Sequence, residues 1–145
     1  NYISSKSNER LAKISPDGNI LVRANEQNHE WSIVIRDQYP KTKERRIALP
    51  GIKSVESISF HPNEPWVLLE LINDKGYDIY ALNIQSECFL QLSYYPGPDQ
   101  DPSFSPDGKS WYFISDREEK MELWQSHYFP VERCQKDNKE EQKEK

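Results

Sequence analysis

The four-residue turn Ser15-Pro16-Asp17-Gly18 recurs unchanged as Ser105-Pro106-Asp107-Gly108, and in altered form as His61-Pro62-Asn63-Glu64. The three prolines stand 46 and 44 residues apart. Counting 18 residues forward from each lands on Val34, Tyr80 and Trp124, each inside an apolar run. A turn held at near-constant spacing, with the register behind it kept, restricts the chain to an architecture of like units laid side by side.

The chemistry of each unit follows from its residue types. An apolar residue, Ile14, Phe60 or Phe104, precedes the turn. Proline presets the backbone at the second turn position, and Asp or Asn followed by Gly supports a tight reversal, so each site predicts a hairpin. The strands after the turns, NILVRA, PWVLLEL and KSWYFIS, are rich in β-branched and aromatic residues. Third strands follow the polar turns ANEQNHE, NDKG and SDREEK, and fourth strands are visible as RRIALP and CFLQLS. After the third unit the chain reads FPVERCQKDNKEE, where no comparable strand is apparent. Four short strands repeating at this period predict an all-β chain of β-propeller blades, three four-stranded antiparallel repeats. Blades pack on both faces, which accounts for strands that are almost continuously apolar. A β-sandwich is the competing architecture, but it does not demand one turn at fixed spacing. The expected layout is a lead-in over residues 1–9, blades over 10–51, 52–97 and 98–130, and a charged, disordered tail over 131–145.

The residues Phe104 to Gly108 followed by Phe113 to Arg117 resemble the repeat of TolB-type propellers, in which an aromatic or apolar residue precedes Ser-Pro-Asp-Gly and the next strand ends in Phe-x-Ser-Asp-Arg. The first unit keeps Ser15 to Gly18 but carries Asn25-Glu26-Gln27 in place of Ser-Asp-Arg, and the second departs further. The resemblance covers about residues 10 to 128. Such repeats occur in TolB-like periplasmic proteins, in tricorn-type proteases and in propellers attached to prolyl-oligopeptidase-like hydrolases, so they imply a fold more sharply than a function.

Propellers close with four to eight blades. Three leave two open faces, on which Trp66, Trp111 and Tyr112 are expected to be exposed. The chain is then either part of a longer propeller or half of a homodimeric ring, in which residues 1–4 of one copy supply the missing strand of the other's third blade.

Composition narrows the partners. With 19 Lys and Arg against 24 Asp and Glu, the net charge of −5 disfavours nucleic acid and anionic membranes. No apolar run is long enough to span a bilayer. The one basic cluster, Arg36 to Arg46, falls where a loop is expected, as a solvated connection. Cys88 and Cys134 form no C-x-x-C pair. Both fall near outer fourth-strand positions of neighbouring blades, where strands diverge, and no bond between them is expected.

Chemistry is sparse. No Gly-x-Ser-x-Gly occurs, so a prolyl-oligopeptidase active site is absent from this sequence. His29, His61 and His127 have no second histidine at metal spacing, and Asp99 with Asp101 offer too few oxygens for calcium. The expectation is no catalytic residue, no metal and no cofactor. In a propeller the first strands line the channel, which makes Arg10, Glu56, Gln100 and Asp101, just ahead of those strands, the candidate partner-binding residues. Three readings stay open: a non-catalytic TolB-like scaffold binding a protein or polar ligand in an envelope complex, with the periplasmic or other extracytoplasmic location the resemblance implies; the accessory propeller of a prolyl-oligopeptidase-like serine peptidase whose catalytic domain lies elsewhere; and a self-assembling half-propeller of structural role.

Overall fold

A computed structural model describes residues 8–38 and 43–134. The chain forms three antiparallel meanders. The first runs β1 (Asn8–Ile14), β2 (Ile20–Gln27), β3 (Glu30–Asp37) and β4 (Lys43–Ala48); the second β5 (Ser54–Phe60), β6 (Trp66–Asn73), β7 (Gly76–Asn83) and β8 (Phe89–Gln91); the third β9 (Asp99–Phe104), β10 (Trp111–Ser115) and β11 (Glu122–Ser126). The third sheet therefore has three strands among the described residues, where three four-stranded repeats are expected.

The repeated turn builds its hairpin through its own side chains. Ser15 donates its hydroxyl to Asp17 at 2.6 Å and accepts the N–H of Ile20, while Asp17 also accepts the N–H of Asn19. Ser105 and Asp107 repeat this with Lys109 and Ser110. Gly18 and Gly108 take φ of 78° and 71°, the left-handed region that a Cβ disfavours. In the second unit His61 stands where the serines do, and its Nδ1 accepts the N–H groups of Asn63 and Glu64 at 3.1 and 2.9 Å. An acceptor at Nδ1 leaves the proton on Nε2, which donates to the Gly108 carbonyl of the third unit at 3.1 Å. The substitution thus turns a hairpin fastener into a tie between neighbouring sheets.

The sheets stack as wedges around two cores. Val22, Ala24, Ile33 and Ile35 of the first sheet meet Val55, Val67, Leu69, Leu71 and Leu82 of the second. The opposite face of the second sheet, with Trp66, Leu68, Ile79 and Leu90, meets Trp111 and Phe113 of the third. Both faces of β6 are covered, so its buried residues run Trp66 to Leu71 without alternation. At the inner edge β1 packs along β5, and β5 along β9. No comparable contact joins β4 to β8 among the described residues, which is the taper of a wedge.

Three expectations are corrected. Trp66 and Trp111 are 6% and 2% exposed and sit between the second and third sheets, because they lie on the faces turned toward each other. The outer face of the third sheet shows half-buried Tyr112 and Ile114 with Leu123, 67% exposed. Cys88 and Cys134 form a disulfide with Cα atoms 5.7 Å apart. The expectation failed in its premise: Cys134 lies in no fourth strand. After β11 the chain folds back, with Phe129 edge-on against Trp66 at 4.9 Å, and a turn through Pro130 and Val131 delivers Cys134 to the end of β8. The basic cluster is also not one loop. Arg36 lies on β3, Lys43, Arg45 and Arg46 lie on β4, and Arg46 donates to Asn25 and Ser32. Lys41, the proposed strand from residues 1–4 and residues 135–145 of the tail lie outside the described residues.

Candidate functional site

Each first strand carries a one-residue bulge at an equivalent place. In β1 Leu11 and Ala12 oppose Arg23, in β5 Glu56 is the extra residue between Val55 and Ser57, and in β9 Asp101 and Pro102 oppose Phe113. Bulges re-aim side chains and twist the strand. Leu11 and Asp101 take φ of 55° and 50° there. Arg10, Glu56, Gln100 and Asp101 therefore lie at or beside these bulges, within the innermost strands rather than ahead of them. Arg10 and Asp101 are exposed, Glu56 and Gln100 half-buried.

Two of the four converge on a carboxylate that the sequence reading missed. Glu70, on β6 and 5% exposed, accepts the N–H of Asp101 at 3.1 Å. Burial pushes its carboxyl above the usual range, and the charges of Asp101 and Glu56 push the same way against that hydrogen bond. Arg10 shares no hydrogen bond or ion pair with the other three among the described residues. The available signal for Glu70 was a charge inside the apolar run VLLELI.

A second arrangement lies where the β6–β7 turn meets the loop leading to β9. A cleft of about 720 Å³ is bordered by Asn73, Lys75, Asp78, Gln91, Tyr94 and Tyr95. Asp78, 4% exposed, accepts from Asn73 Nδ2 at 2.9 Å and Gln91 Nε2 at 3.3 Å through Oδ2, with Ser93 Oγ 3.5 Å from Oδ1. Burial raises its carboxyl, and the nearby charge of Asp99 adds to this. Asp99 has a fully buried side chain and accepts from Arg117 at 2.8 Å, while its Oδ1 has no partner among the described residues. Arg117 also donates to Ser115 and lies 4.8 to 5.8 Å from the ring centroids of Phe113, Tyr95 and Trp124. The Ser-Asp-Arg ending of the third unit thus pins the loop into β9 to the end of β10. Among the described residues no three His, Cys, Asp or Glu are placed to hold a metal, and no helix is long and apolar enough to cross a membrane.

No family model matches the sequence. Over 53 residues the chain is 38% identical to an uncharacterized protein of Agrobacterium fabrum, covering 37% of this chain and 18% of that protein. In structure it matches TolB from Acinetobacter baumannii with a TM-score of 0.70 at 18% identity, over 85% of this chain and 30% of that one. A structure from Agrobacterium tumefaciens, provisionally assigned as TolB, matches with a TM-score of 0.51 at 18% identity, over 83% of this chain and 58% of that one. At these identities the likeness is one of fold, and the three sheets are TolB-like propeller blades. The chain spans less than a third of the first TolB and less than a fifth of the curated relative.

Proposed function

We propose that the chain is a non-catalytic propeller scaffold that binds a protein partner along its inner strands, within an extracytoplasmic complex. The observation that carries this reading is the matched bulge in β1, β5 and β9, which sets Arg10, Glu56, Gln100 and Asp101 on the edge where the wedges converge. Polar groups of both signs, exposed or half-buried, suit a polypeptide better than an apolar ligand. The Cys88–Cys134 disulfide supports the location, since such bonds persist in oxidising compartments. In this reading further blades complete the ring, from adjoining sequence or from a second copy.

The test is site-specific photocrosslinking in the native envelope. A photoreactive residue at Gln100 is expected to give a discrete adduct that Asp101→Asn weakens, while one at Glu87, on the outer rim, gives none. Asparagine is the chosen replacement because it tolerates the positive φ of position 101. The same adduct from both positions, or none from Gln100, would reject the inner edge as the binding surface.

A further inference from the structure

The cleft beside β9 holds a buried carboxylate, that of Asp78, which forms no ion pair among the described residues. Asp78 and Asp99 are both buried and lie close enough to repel each other. Of the two, only Asp99 has a guanidinium among the described residues, that of Arg117. Among the described residues Asp78 is held by amides and a hydroxyl, all neutral donors, and its Oδ1 has only the long contact to Ser93. Lys75 borders the cleft and acts on Asp78 from a distance, forming no ion pair with it among the described residues. Burying a carboxylate without a cation is costly, and a cation brought from outside recovers that cost.

The rest of the cleft suits such a guest. Tyr94, 63% exposed, and Tyr95 supply aromatic surface, and rings of this kind attract cations over their faces. Tyr95 already engages a guanidinium of this chain: Arg117 lies 5.2 Å from its ring centroid. The volume, about 720 Å³, exceeds what one long side chain needs and admits the backbone carrying it.

We propose that this cleft is a binding site for an arginine or lysine side chain presented by a partner polypeptide, with Asp78 as its counter-charge and Tyr94 and Tyr95 as its walls. The site goes beyond the scaffold reading in naming the group recognised. It stands on the cleft alone, so it would survive the failure of crosslinking at Gln100.

Titration of the folded chain with N-acetyl-arginine methylamide, followed by NMR, tests it against the citrulline analogue, which has the same shape without the charge. Saturable shifts at the side-chain amides of Asn73 and Gln91 and at Tyr94 are expected, with arginine bound about tenfold more tightly than citrulline. Asp78→Asn should erase that preference. Should Asp78→Asn fail to fold, Lys75→Glu, at an exposed position, should tighten arginine binding severalfold by removing a competing cation that borders the cleft. Equal binding of citrulline, an arginine preference that persists in Asp78→Asn, or weaker arginine binding in Lys75→Glu would overturn the proposal. Putrescine bound as well as arginine would replace a polypeptide with a free polyamine as the guest, and would also overturn it.

Discussion

Glu70 shows how a single side chain can hold cost in a fold. Its carboxyl is held high by burial and by the neighbouring charges of Asp101 and Glu56. A group whose folded pKa exceeds its unfolded value contributes stability that is complete below the unfolded value, about 4.3 for Glu, and is lost as pH rises through the folded one. A glutamine side chain at this position could still accept the Asp101 N–H through its amide oxygen without carrying charge. Glu70→Gln is therefore expected to melt higher than the parent at neutral pH, with the difference shrinking on acidification through the carboxylate range. Asp17 and Asp107 act the opposite way: bonds from Ser15 and Ser105 hold them low, so their contribution is present at neutral pH and lost in acid. Comparing variant with parent at each pH removes this background. A variant that melts lower than the parent at pH 7 would show that the charge of Glu70 is compensated.

At the scale of the turn and strand, two hairpins of the same sequence differ in what they touch. Gly18 and Gly108 share the same left-handed backbone, but a Cβ at 18 meets open space while one at 108 would run into the His61 ring. Gly18→Val should cost the backbone strain, about 1–3 kcal/mol, a fall in melting temperature of roughly 3–10 °C. Gly108→Val should cost clearly more by thermal melting, because it also breaks the His61 tie. Equal losses would mean that the tie contributes nothing. These hairpins were legible in the sequence because Ser-Pro-Asp-Gly contains its own hydrogen-bond partners. The interior strands were legible for the same local reason, their residue types. The facing of Trp66 and Trp111 was not, since it depends on which side of each sheet finds a neighbour. Cys134 was misplaced because its position depends on the path after β11, set by Phe129 docking between sheets rather than by any strand pattern. Of the candidate site, the repeat register led to the neighbourhood of the first strands but set Arg10, Glu56, Gln100 and Asp101 ahead of them, because a bulge leaves no mark in residue type, whereas Glu70 and Asp78 required knowledge of what packs over them.

For the whole molecule the question is what stands beyond the first and third sheets. The outer face of the third sheet carries Tyr112, Ile114 and exposed Leu123, and the first sheet turns Arg23, Ser32 and Arg46 to the side away from the second. Light scattering across a concentration series distinguishes the two completions. A species of about 34 kDa, twice 17.1 kDa, is expected if two copies close one ring. A 17.1 kDa species throughout would reject closure by a second copy. The disulfide has a mechanical meaning as well. Cys88 belongs to the second sheet and Cys134 follows the third, so the bond spans a sequence separation of 46, with all of β9, β10 and β11 inside it. Tension applied to the two ends of the chain crosses from Cys88 to Cys134 through sulfur and bypasses the third blade. That blade is out of the load path, and its contour, roughly 3.3–3.6 Å per residue, stays hidden from a stretching force until the bond is reduced.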